Sequence, residues 1–168
     1  MKRIVIILIA SIFIFTSCKE ESGISKAFMK YSWRSGVTSI TVPGWMIGLA
    51  SAFGDLDDDE QELLSNIDKV KILTIEDHDL NARVNLHEEF YSKINSDNSF
   101  EELLVVRDGN ENVTIFGKID KNVIREMVIL VGGDDNAVVY LKGEIKPKLI
   151  NDLAHKNNSK DKFFAFDF

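Results

Sequence analysis

The sequence predicts an α+β domain: a mostly antiparallel sheet ending in a four-strand meander, with helices packed mainly on one face. Three observations lead there. From Glu102 onward, four strand-like runs follow one another across short turns carrying glycine or asparagine, the pattern of antiparallel neighbours. The half before them mixes two alternating β-branched stretches with stretches of helical periodicity. Finally, Met127-Val128-Ile129-Leu130-Val131 is apolar on both faces, as expected of a strand lying centrally and covered on both sides.

The chain opens with Met1-Lys2-Arg3, runs apolar from Ile4 to Phe15, and reaches small Thr16 and Ser17 before Cys18. Basic start, apolar run and small-residue junction are the layout of an export signal. The run is shorter than the roughly 20 apolar residues a bilayer span requires. Cys18 is the sole cysteine, and its surroundings resemble the lipobox of bacterial lipoproteins, with Phe15 where leucine is commoner. That resemblance implies acylation of the Cys18 thiol, which becomes the first residue after cleavage. A thiol is a strong nucleophile for accepting a diacylglycerol group, whereas a free cysteine is a liability in an oxidising compartment. Two or more acyl chains anchor stably, so Cys18 would hold the domain on a membrane without a spanning helix. Lys19-Glu20-Glu21 follows and resembles the surface-export signal of Bacteroidota lipoproteins; the alternative is an ordinary charged tether. The expected location is therefore the outer membrane, lipid-anchored, and the cell surface if that signal operates. Residues 18–35, polar with scattered Phe28, Tyr31 and Trp33, read as a linker between the leader (1–17) and a single domain (36–156).

The leader holds Lys2 and Arg3 and no acid, so its removal leaves 18 basic and 27 acidic side chains and moves the net charge from −7 to −9. This is one domain of ordinary size. Its charge opposes nucleic-acid binding, which depends on basic clusters releasing counterions from phosphates. One cysteine permits neither an intrachain disulfide nor a cysteine-type zinc site, and no cofactor is expected.

Val37 to Val42 alternates as a first strand. Pro43 ends it and suits the first position of a helix. The helix over Gly44-Trp45-Met46-Ile47-Gly48-Leu49-Ala50-Ser51-Ala52-Phe53 is apolar all round, which predicts burial against the sheet rather than partner binding or dipping into a membrane. The acids from Asp55 to Glu62 suggest calcium, but an EF-hand needs Gly at its sixth position and an acid at its twelfth, and counting from Asp55 these are Glu60 and Asn66. A helix start with acids at its positive end accounts for them. Lys69 to Ile75 forms a second strand. A helix capped by Asp77 and Asp79 then runs to about Ile94, with Leu80, Val84, Leu86, His87, Phe90, Tyr91 and Ile94 on one core-facing arc. His87 on that arc reads as a part-buried, hydrogen-bonded residue, since His78 and His155 have no spacing that brings them to it.

The four closing strands are Glu102–Arg107, Asn112–Ile119, Val123–Val131 and Ala137–Ile145. The turns Asp108-Gly109-Asn110 and Gly132-Gly133-Asp134-Asp135-Asn136 neither precede a helix nor end in Gly-Lys-Ser/Thr, so they are hairpin turns and not phosphate cradles. Pro147 opens a last helix through Leu149, Ile150, Leu153 and Ala154. After the polar break at Asn157 to Lys162, Phe163, Phe164, Phe166 and Phe168 alternate to the end of the chain, as in the insertion signal of outer-membrane barrels. A chain with helices and so few strands is no barrel, so this tail (157–168) reads as an edge strand or a partner-docking segment.

The order of lipobox, Trp45-Met46-Ile47-Gly48-Leu49-Ala50, acidic helix start, Leu63-Leu64-Ser65-Asn66-Ile67-Asp68-Lys69-Val70-Lys71-Ile72-Leu73-Thr74, the run from Glu101 through Asp108-Gly109-Asn110 to Ile115, and the hairpin from Val131 through Gly132-Gly133-Asp134-Asp135-Asn136 to Ile145 resembles the domain-of-unknown-function family 4252 of Bacteroidota lipoproteins, over about Val37 to Ala154. The resemblance implies an exported, lipid-anchored protein and supplies no activity or site. No nucleophile, base or metal constellation is legible. The expected function is that of a non-enzymatic module binding an envelope protein, tethered to the membrane through Cys18. Two alternatives stand beside it. One is an enzyme or small-ligand carrier whose residues converge in space, with Glu76, Asp77, His78 and His87 as participants. The other is a structural envelope component.

Overall fold

The computed structural model describes residues 23–54, 56–134 and 136–148. In chain order its elements are α1 (Gly23–Ser32), β1 (Val37–Pro43), α2 (Gly44–Phe53), α3 (Asp58–Ser65), β2 (Ile67–Ile75), α4 (His78–Asn81), α5 (Leu86–Asn95), β3 (Glu101–Asp108), β4 (Glu111–Asp120), β5 (Val123–Gly132) and β6 (Ala137–Ile145). The strands form one sheet in the order β1-β2-β6-β5-β4-β3, with every neighbouring pair antiparallel. The predicted meander is β3 to β6, and β6 returns it to the β1–β2 pair. β5 is internal, with Val128 and Leu130 fully buried on one face and Met127 7 % exposed on the other.

Turn chemistry sets the register. Gly109 between β3 and β4 takes φ 58°, and Lys121 and Asn122 between β4 and β5 take φ 49° and 67°, the left-handed pair that a tight hairpin demands. A bulge between Glu102 and Leu104 turns Leu103 onto the same face as Leu104, where only a glycine fits beneath it: a Cβ on Gly117 would stand 2.7 Å from Leu103 Cδ1.

Helices α1 and α5 cover one face. Ile24, Ala27, Phe28 and Tyr31 of α1 and Leu86, Phe90 and Ile94 of α5 pack onto Leu73, Phe116, Val128, Leu130 and Val138. Phe28 meets Phe90 edge-on at 5.2 Å. A polar clasp closes the helix pair: Tyr31 Oη donates to Glu89, and Lys30 Nζ lies 2.9 Å from the same carboxylate. Burial raises the Glu89 pKa, but the hydrogen bonds from Tyr31 and Lys30 outweigh it and leave the carboxyl below its ordinary value. Gly132 lets α5 approach β5, since a Cβ there would come within 2.7 Å of His87 Cβ.

Three expectations change. The stretch read as a linker holds α1, and its Ile24, Ala27, Phe28 and Tyr31 are core residues at helical spacing. The single helix expected from Asp79 to Ile94 is two. Asp77 caps α4 through Leu80 N, the backbone stops at Asn81, and Asn85 restarts it by accepting from Glu88 N. The apolar α2 is not a core helix. Ile47 and Ser51 are its buried residues, while Trp45, Met46 and Leu49 are 67 %, 46 % and 50 % exposed. It leaves the end of β1 and packs on α3 and the nearby ends of β1 and β2, a position with too little sheet beneath it to bury a helix on all sides. The acidic run behaves as a helix start, with Asp57 and Glu60 forming a capping box at α3. The expected last helix (Leu149, Ile150, Leu153, Ala154), the aromatic tail (Phe163, Phe164, Phe166, Phe168), Cys18 and Lys19-Glu20-Glu21 lie outside the described residues.

Candidate functional site

Of the polar residues singled out above, Glu76 and His78 share a recess that Asp77 and His87 do not line. Glu76 and His78 line a recess of about 570 Å³ at the end of the sheet where β2 leaves and β6 begins, together with Thr74, Asn81, Asp134 and Asn136. Its polar groups are mostly engaged. Glu76 accepts from Thr38 Oγ1 at 2.7 Å, and Asn81 Nδ2 donates to the Asp134 carbonyl at 2.7 Å. Asn136, 5 % exposed, accepts from Leu86 N and donates to Asn81 Oδ1 and Val84 O. Asp77 is spent on the α4 cap. The recess is shaped by a structural asparagine rather than by an acid–base pair.

His87 stands apart, on the helix-covered face. Its Nε2 is 2.9 Å from Thr114 Oγ1, and its ring stacks on Tyr91 at 5.9 Å. Burial, helped by the nearby Arg107 guanidinium and opposed by Glu88, holds its pKa below the ordinary histidine value. It behaves as the part-buried residue the sequence predicts. Among the described residues no group of His, Cys, Asp and Glu is arranged to hold a metal.

A histidine whose folded pKa lies below its unfolded value of about 6.5 contributes stability that is full above pH 6.5 and lost as pH falls through the folded pKa. The denaturation midpoint should therefore drop from pH 7.5 to pH 5 more steeply in the wild-type chain than in His87→Gln. Parallel pH profiles for the two chains would contradict this.

The other face of the sheet is not accounted for by α1 and α5. There the register aligns Ile40, Ile72, Val139, Ile129, Ile115 and Leu104 in one row across all six strands. A second row parallel to it is Thr38, Thr74, Ala137, Val131, Val113 and Val106. At about 4.8 Å per strand spacing the rows are about 24 Å wide. Among the described residues this face is covered at one end, where Leu63 of α3 packs with Ile115, Ile124, Met127 and Ile145. The remainder is half-buried at its centre and open at its rims, with Ile40 47 % and Val106 38 % exposed. The strands are legible in the sequence, and this surface is not. Alternation marks two apolar faces on β2 without saying which one a helix covers.

A two-layer α+β domain with one sheet face under helices and the opposite face largely aliphatic is the class that fold and surface define. Residues 12–153 match a family model described as a domain of unknown function, DUF4252, and the chain belongs to that family. No curated protein and no solved structure matches the chain.

Proposed function

We propose that the protein is exported, held on the outer membrane by acyl chains on Cys18, and serves there as a non-enzymatic module that binds another protein through the open face of its sheet. The observation that carries the reading is the aliphatic cross-strand row from Ile40 to Leu104 opposite α1 and α5, flanked by a second row that is aliphatic from Ala137 to Val106 and exposed at its rims at Ile40 and Val106, an apolar surface of the kind that marks interaction sites. The seat of Leu63 against one end of this face supports an occupant of like chemistry, a helix or sheet presenting a stripe of aliphatic side chains. The family match begins at residue 12, inside the apolar leader, so the matched region takes in Cys18. The separation of His87 and Asp77 from the recess at Glu76 and His78 favours binding over catalysis.

The test is a photo-reactive residue placed in turn at Ile40, Val106 and Arg34 in intact cells, with acyl groups on the Cys18 peptide read by mass spectrometry. One protein adduct is expected from Ile40 and Val106 and none from Arg34, which lies beyond α1. Cross-links to residues of the same chain past Lys148, or to a second copy, would overturn the partner reading. An unmodified Cys18, with Cys18→Ala still sedimenting with membranes, would overturn the anchor.

A further inference from the structure

We propose that α2 is the seat of the chain's own aromatic segment: residues 163–168 lie across its exposed stripe, with Phe164, Phe166 and Phe168 set against Trp45, Met46 and Leu49. The seat needs neither acyl chains on Cys18 nor a partner, and it leaves the open face of the sheet free for one.

Helix geometry divides α2 into two sides. At 100° per residue, Trp45, Met46 and Leu49 fall within an arc of about 100°, and the buried Ile47 and Ser51 lie on the opposite side. A Cβ on Gly48 would meet nothing within 4 Å among the described residues, so the helix surface is notched beside Trp45. Three large apolar side chains on one side of a helix of 10 residues form a patch that no other described residue covers.

The occupant follows from where the chain goes. β6 ends against α3: Glu144 N donates to Asn66 O at 2.8 Å, and Lys146 Nζ lies 2.6 Å from Glu62. The last described residue, Lys148, therefore stands close to α3, the helix on which α2 packs, and packed helices have axes about 8–10 Å apart. Phe163 follows Lys148 by 15 positions, a reach of up to about 50 Å. That length accommodates the helix expected over Leu149 to Ala154 and the polar residues 157–162 before the phenylalanines begin.

Side-chain chemistry selects α2 over the sheet. The two rows of the open face consist of aliphatic residues and threonine and hold no aromatic ring. α2 offers an indole and a thioether, both of which make favourable directional contacts with phenyl rings. In an extended segment Phe164, Phe166 and Phe168 share one face. Charge agrees with this placement: no salt bridge among the described residues involves Asp58 or Asp59 in the first turn of α3, and Lys160 and Lys162 stand directly before Phe163. With those lysines at the start of α3, residues 163–168 run back along α2 towards Trp45. Six extended residues cover about 20 Å, enough for the roughly 15 Å length of the helix.

The experiment uses the mature chain, residues 18–168, with Cys18→Ser. A photo-reactive residue in place of Leu49 should cross-link within one molecule to the peptide carrying Phe163 to Phe168, at a yield that dilution does not change. One in place of Trp33, beyond the far end of α1 and 90 % exposed, should give no such adduct. With Trp33→Phe, Trp45 is the only indole; Phe164→Ser/Phe166→Ser/Phe168→Ser should then shift its emission to the red and increase its quenching by acrylamide. A Leu49 adduct confined to a second copy, equal tail adducts from Leu49 and Trp33, or Trp45 emission and quenching that the triple variant leaves unmoved would each overturn the seat. A tail adduct from Ile40 in place of Leu49 would overturn both this seat and the partner reading. Absence of a partner adduct at Ile40 and Val106, with the Leu49 adduct intact, would defeat the partner reading alone and support the seat.

Discussion

Phe90→Ala is expected to cost about 3–5 kcal/mol of folding stability, the range for truncating a fully buried aromatic side chain. Phe90 is 0 % exposed at the middle of α5, and its ring fills the space between Phe28 of α1 and the sheet residues of the same cluster. The cavity cannot close easily, because strands paired on both sides hold the floor in place and the Tyr31–Glu89 clasp holds the helices apart at a set distance. The effect should be larger on α1 than on any other element. α1 joins the domain chiefly through Ile24, Ala27, Phe28 and Tyr31, and Phe28 loses its edge-on partner. Urea denaturation gives the global loss, and amide hydrogen exchange over residues 23–32 gives the local one. Trp33→Ala, at a side chain 90 % exposed, should stay within about 0.5 kcal/mol of wild type. Unchanged exchange in α1 beside a large global loss would show that Phe28 has another support.

The strands were legible to within a residue or two because two local signals agreed: β-branched alternation inside each run, and residues tolerant of positive φ between runs, as at Gly109 and Asn122. The α1 helix is legible as well, through the spacing of Ile24, Ala27, Phe28 and Tyr31, but the polar residues scattered among them make the stretch read as a linker. The break before α5 was also present in the sequence, since Asn85 followed three residues later by Glu88 is a helix-start pattern inside an otherwise continuous apolar arc. What local pattern could not supply was non-local pairing. Lys69 and Lys142 are 73 positions apart and become neighbours because β6 returns to β2 after the meander. The row from Ile40 to Leu104 likewise exists only once six registers are known. Uniform hydrophobicity misled at α2, where composition predicts burial and position at the sheet end leaves Trp45, Met46 and Leu49 outside.

Asn136→Leu is the second substitution expected to be severe, and it tests what holds α5 in register on the sheet. The Asn136 Oδ1 accepts from Leu86 N at 3.1 Å in a fully buried bond, while its Nδ2 donates to Asn81 Oδ1 at 2.6 Å and to Val84 O at 3.0 Å in part-buried ones. Leucine is similar in size but satisfies none of these groups. The buried Leu86 N–H alone should cost about 1–3 kcal/mol, with less at Val84 and Asn81, which water can reach. Asn81→Ala, which removes one part-buried partner, should cost about 1 kcal/mol or less. Equal losses in the two variants would place the key bond at Asn81 instead. Asn136→Asp separates the roles further. Its carboxyl can still accept from Leu86 N, but when ionised it sets a second negative oxygen against Val84 O, whereas the protonated acid donates there. Burial among these groups raises the carboxyl pKa above its unfolded value, so the stability of this variant should fall as pH rises through the folded pKa. Urea midpoints that rose with pH relative to wild type would reverse the assignment of donor and acceptor at Asn136, and with it the account of how the loop before α5 is tied to β6.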